Sequence, residues 1–117
     1  MTFITENRKC LSLINVFLVR PENQEVLIGL LNEATERVMR FQPGFISANI
    51  HRGLDGSQVA NYAQWESYAD FDRAMQRPEV KRHLDAILRL VETNNRGLFH
   101  VAKTHERERF EGQVSLF

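Results

Sequence analysis

The chain has 117 residues, 43% apolar and 26% charged, which is the size and composition of one globular domain with a core of its own. Fifteen Lys and Arg balance fifteen Asp and Glu, so net charge gives no ground for a nucleic-acid or membrane-surface partner. No apolar run is long enough to span a bilayer, residues 1–9 lack the apolar middle of a signal peptide, and the single Cys10 cannot form an internal disulfide, so a cytoplasmic protein is expected.

The single domain is expected over 1–117, with 1–10 as an N-terminal extension. Residues 11–20 form a β-branched and aromatic run that reads as the first strand, stopped by Pro21. Residues 22–40 carry Leu27, Leu30, Leu31, Ala34 and Val38 at helical spacing, and Pro43-Gly44 ends that helix. Phe45–Arg52 and residues 58–66 read as two strands joined through Gly53-Leu54-Asp55-Gly56, which holds the Asp-Gly signal of a hairpin. Ser67 is a good helix cap, with Asp70 three residues later. A short helix follows with Phe71, Ala74 and Met75 inward. Pro78 opens its continuation, whose apolar stripe is Val80, Leu84, Ile87, Leu88 and Val91. Asn94-Asn95 is expected to close that helix, and residues 98–103 to form the fourth strand. Residues 105–117 are a tail whose end, Val114, Leu116 and Phe117, is apolar enough to pack on a partner subunit.

The order β-α-β-β-α-β predicts an α+β fold of ferredoxin-like type, a four-stranded antiparallel sheet with its helices on one face. In the first strand Leu13, Phe17 and Val19 point one way and Ile14, Val16 and Leu18 the other. Ile46, Ala48 and Ile50 repeat this in the second strand, opposite Phe45. Helices can cover only one of two apolar faces. A homodimer with the two sheets face to face is therefore expected, a dimeric α/β barrel.

The hairpin decides which polar side chains share a face. A two-residue turn at Asp55-Gly56 would put His51 and Asn61 on opposite faces. A three-residue loop with a left-handed Gly56 would align the odd positions, and this register is expected. It gathers Phe45, Ser47, Asn49, His51, Asn61 and Trp65 on one face. Such amides between sheet and helix are costly unless they find partners or orient a ligand in a cavity. His83, at the edge of its helix stripe, could look into the same cavity. A strand Trp is ordinarily core, a strand Asn a satisfied amide and a lone His structural, so the grouping carries more than any one residue. The four histidines are scattered, and no metal-ligand spacing, phosphate loop or nucleophile motif is present.

Pro43-Gly44-Phe45-Ile46-Ser47-Ala48, His51, Asp55-Gly56 and Asn61-Tyr62-Ala63-Gln64-Trp65-Glu66-Ser67 resemble the antibiotic biosynthesis monooxygenase (ABM) family, above all its cofactor-free, quinone-forming members of the actinorhodin type. The resemblance runs from Leu13 to Val91. It implies dimeric ferredoxin-like subunits and a monooxygenase that needs no metal, flavin or haem. The substrate would be a small polycyclic phenol or anthrone, and dioxygen the oxidant. It places the catalytic Asn and Trp on Asn61 and Trp65 and the strand histidine on His51. The aromatic hydroxyl of those members falls on Phe71, with Tyr68 one helical turn earlier as its substitute. Their helix-borne Arg has Arg82 and His83 as nearest matches. Asn49, Tyr68, Phe71, Arg82 and His83 are thus the expected substrate contacts. The scaffold leaves other readings open: a haem-degrading relative using Asn15, Trp65 and His83, a small-molecule isomerase, or a non-catalytic dimeric ligand-binding protein.

Overall fold

A computed structural model describes residues 10–108. The β-branched run forms β1 (Leu11–Leu18), and Pro21 turns the chain through a single 3-10 turn into α1 (Gln24–Arg37). The helix is shorter at both ends than its apolar spacing suggests. Residues Met39–Phe41 form a separate 3-10 turn before β2 (Phe45–Arg52). β3 (Gln58–Trp65) leads into α2 (Tyr68–Met75), α3 (Pro78–Leu90) and β4 (Thr93–Phe99). Ser67 caps α2 as its sequence suggests: its hydroxyl accepts from the Asp70 N–H at 3.1 Å and donates to Asp70 Oδ2 at 2.8 Å. Among the described residues no helix is long and apolar enough to cross a membrane.

The strands form one antiparallel sheet in the order β2-β3-β1-β4, the ferredoxin-like topology expected. Leu13, Phe17 and Val19 are buried, while Ile14 and Leu18 on the other face are 41% and 38% exposed. The expected two-sided apolarity of β1 is thus present. The core lies in two clusters on the helix side. One joins Phe17, Val19, Leu27, Leu31, Val59 and Ile87. The other joins Leu11, Leu13, Ala63, Trp65, Phe71 and Ala74. The residues between them on the central strands are Asn15 and Asn61, paired with each other.

Three expectations need correction. The hairpin register is the alternative one: Ile50 pairs with Asn61, His51 with Ala60 and Arg52 with Val59. Gly56, at φ +83°, is left-handed as expected, but Leu54 to Ser57 all lie between the last paired residues. The buried Gln24 of α1 pins the hairpin base by donating Nε2 to the carbonyls of Gly53 and Gln58 at 2.9 and 3.0 Å. Arg52 on the same face meets Glu25 with two hydrogen bonds of 3.0 and 2.7 Å. Second, a bulge between Phe45 and Ser47 switches the alternation of β2, so Ala48 and Ile50 share the helix face with Phe45, while Ile46 is 42% exposed. Third, Asn94 and Asn95 do not close α3. They lie inside β4, which begins five residues before the expected position 98, because pairing with β1 outweighs the weak strand propensity of Thr-Asn-Asn-Arg-Gly. The apolar tail lies outside the described residues.

Candidate active site

A cavity of about 230 Å³ separates the two halves of the core. Its floor is the sheet: Leu13, Asn15 and Phe17 of β1, Asn61 of β3, Asn94 and Arg96 of β4. Leu31, Ala34 and Thr35 of α1 wall one side, and Phe71 and Met75 of α2 another. Val80, His83, Leu84, Ile87 and Leu88 of α3 complete it. Mostly apolar walls with a few convergent polar groups suit a compact planar ligand, and the volume falls just below the roughly 300–1,000 Å³ usual for small-molecule pockets.

The polar groups differ in what they have free to offer. Thr35 donates its hydroxyl to Leu31 O at 2.9 Å. Asn15 Oδ1 accepts from Asn94 Nδ2 at 3.4 Å, a long bond. Asn61 Oδ1 is buried and accepts no hydrogen bond. Leaving such a group unpaired costs about 1–3 kcal/mol. Rotating the amide by half a turn offers a donor in its place. Trp65 Nε1 is likewise buried without an acceptor. The Trp65 ring is clamped edge-to-face between Phe45, 5.4 Å away, and Phe71, 5.8 Å away. Phe71 thereby connects the indole to the cavity wall. Among the described residues no group of three or more His, Cys, Asp or Glu is placed to hold a metal ion.

Of the residues expected from the sequence, Asn61, Phe71 and His83 come together around the cavity, with Trp65 packed behind Phe71. Tyr68 packs on the outer side of Phe71 at 6.3 Å and is 57% exposed. Arg82 is exposed and does not line the cavity. Asn49 and His51 do not join the group. The shifted register turns both to the helix-free face, where Asn49 donates to Tyr62 O at 3.0 Å and His51 is exposed. Asn94 and Arg96 were missed as site residues because β4 was expected to begin after them. No local signal places them in a strand; their pairing with β1 does, Asn94 opposite Phe17 and Arg96 opposite Asn15.

The antibiotic biosynthesis monooxygenase family profile matches residues 11–86. Tetracenomycin-F1 monooxygenase of Streptomyces glaucescens is 44% identical over 85 residues, covering 73% of this chain and 76% of that protein. The crystal structure of SnoaB, a cofactor-independent oxygenase from Streptomyces nogalater, superposes with a TM-score of 0.68 at 27% identity, covering 82% of this chain and 96% of the other. A Shewanella oneidensis protein, 20% identical, superposes with a TM-score of 0.71 over 81% of this chain and 93% of its own, a likeness of fold alone. With a matching profile over most of its length and a relative of high identity, this chain belongs to the antibiotic biosynthesis monooxygenase family.

Proposed function

We propose that this chain is a cofactor-independent monooxygenase that oxidises a polycyclic phenol or anthrone to a quinone with dioxygen. The observation that carries the reading is Asn61: a buried amide with an unpartnered oxygen, set in the floor of an otherwise apolar cavity. The names of the Streptomyces glaucescens relative and of SnoaB support the reaction class.

The chemistry follows from the substrate. Loss of a proton gives a phenolate or enolate rich enough in electrons to pass one to dioxygen. The two radicals recombine, forming a carbon–oxygen bond at the reacting ring carbon. The resulting peroxide loses water as its O–O bond breaks and the second hydrogen leaves that carbon. One oxygen atom ends in the new carbonyl and the other in water, so an anthrone and dioxygen give an anthraquinone and water without an added reductant. The protein's work is to stabilise the anion and hold dioxygen beside one carbon. Asn61 is the hydrogen-bond donor to the oxyanion, His83 the proton acceptor on the cavity wall, and Trp65 with Phe71 the rigid backing that orients the rings.

The same reading includes a homodimer. The helix-free face presents Ile14, Leu18 and Phe99, each more than a third exposed. A second sheet packed on it would bury them at the usual spacing of ~10 Å. Oxygen uptake with a panel of anthrones and hydroquinones in the presence of a chelator tests the reaction. Stoichiometric uptake with quinone formation is expected, and no uptake with any of them would refute it.

A further inference from the structure

The sheet sets three polar side chains in one row across the cavity floor. Asn61 of β3 pairs with Asn15 of β1, and Asn15 pairs with Arg96 of β4. Directly paired residues project to the same face of a sheet, and all three line the cavity. With strands ~4.8 Å apart, the row runs about 10 Å from Asn61 to Arg96, the scale of the long axis of a linear fused-ring aromatic.

The two ends of the row differ in chemistry. Asn61 is neutral, and its amide oxygen is buried. Arg96 is a cation on the edge strand, exposed at the rim. Among the described residues no carboxylate forms an ion pair with it. Its guanidinium lies over the Phe71 ring instead, with the central carbon 5.5 Å from the ring centroid. A guanidinium stacked on an aromatic face keeps the N–H donors along its edge available, and the stacking limits its rotamers. A cation held in this way beside an apolar cavity, with no carboxylate partner among the described residues, is built to receive an anion.

We infer that Arg96 sets the substrate specificity of the site. It selects a planar aromatic that carries an anionic oxygen group, a carboxylate or an ionised phenol, at the edge remote from the carbon oxidised beside Asn61. This rests on the aromatic-oxidation reading of the same cavity. The guanidinium fork matches a carboxylate with two parallel hydrogen bonds, which a neutral ester cannot reproduce.

The test measures binding rather than turnover. Anthraquinone-2-carboxylate, its methyl ester and 2-hydroxyanthraquinone are titrated into the wild type and Arg96→Gln. Quenching of Trp65, the single tryptophan, is the readout. Melting curves on the same samples establish that the variant is folded. The wild type is expected to bind the acid at least about 10-fold more tightly than the ester, the scale of a charge-assisted hydrogen bond, and Arg96→Gln to abolish that preference. Tighter binding of 2-hydroxyanthraquinone on ionisation, lost in Arg96→Gln, would identify a phenolate as a second source of the anion. Equal affinity for acid and ester in the wild type, or a preference that survives Arg96→Gln, overturns the inference. Oxygen uptake is judged separately. A protein that binds the acid through Arg96 yet oxidises no anthrone would sink the oxygenase reading and leave the anion subsite standing.

Discussion

At the scale of single residues the site turns on a contrast between packing and polarity. Phe71 and Trp65 are core side chains by burial, at 3% and 0% exposure, yet they back the cavity wall. Asn61 is the reverse, a polar group whose position offers little to stability. Because Asn61 Oδ1 already lacks a partner, Asn61→Ala is expected not to lower the melting temperature. Oxygen uptake should fall ~10²–10³-fold, the usual effect of losing one oxyanion donor. Full activity per folded molecule in Asn61→Ala would make the amide merely structural. Trp65 answers differently, since two aromatic rings pack on it. Trp65→Ala should cost about 3–5 kcal/mol of stability through the cavity it leaves. Trp65→Phe, which keeps an aromatic ring and removes an unsatisfied N–H, should cost clearly less. Equal destabilisation in chemical denaturation would argue against this packing role.

At the scale of elements the turns and bulges place the site. Gly44 stands just before β2 at φ +85°, and an added Cβ there would run into the Asp70 side chain at the start of α2. Gly44→Ala therefore combines a left-handed strain with a clash and is expected to cost roughly 1–3 kcal/mol, read as a lower melting temperature. The β2–β3 loop depends on pH. Asp55 accepts from the Ser57 N–H at 2.9 Å and the Ser57 hydroxyl at 2.8 Å, which holds its carboxyl below the usual carboxylate range. A lowered pKa in the folded state means stability that is present above the unfolded value, roughly pH 4, and is lost as pH falls through the folded one. The melting-temperature difference between wild type and Asp55→Ala should thus be largest near neutrality and shrink below about pH 4. A difference independent of pH would show that the loop does not use the carboxylate's charge.

For the whole molecule the decisive feature is the helix-free sheet face. It is not uniformly apolar: Ser47 donates to Gln64 Oε1 at 3.0 Å, and Gln64 donates to the Tyr62 hydroxyl at 3.3 Å. Ile14, Leu18 and Phe99 lie on the same face and are each more than a third exposed. If two sheets pack there, Leu18→Glu places an unpaired carboxylate in the interface, where an uncompensated charge costs about 3–5 kcal/mol. Sedimentation should then show a dimer for the wild type and a monomer, or a poorly folded chain, for the variant. A variant that remains a stable dimer would move the interface elsewhere. Because dimerisation stabilises by mass action, the wild-type melting temperature should also rise with protein concentration.

The amino-acid sequence by itself determined the element types, their ferredoxin-like order and the family. These rest on local signals: the 3.6-residue stripe of α3, the Ser67 cap, Pro78, and the motif around Asn61 and Trp65. Two apolar faces on β1 were also legible, since alternation along one strand needs no knowledge of its neighbours. Register was not legible. One extra residue in a strand turns every later side chain to the opposite face, and neither the bulge after Phe45 nor the length of the connection before Gln58 has a unique local signature. That single uncertainty moved His51 and Asn49 away from the cavity. The edge strand β4 was hidden for a related reason. Thr93 to Gly97 has little strand propensity of its own and is held extended by pairing with β1, an interaction between segments distant in the chain. Only that pairing brings Arg96 into line with Asn15 and Asn61, so the charged end of the site exists in the tertiary structure and in no local stretch of the sequence.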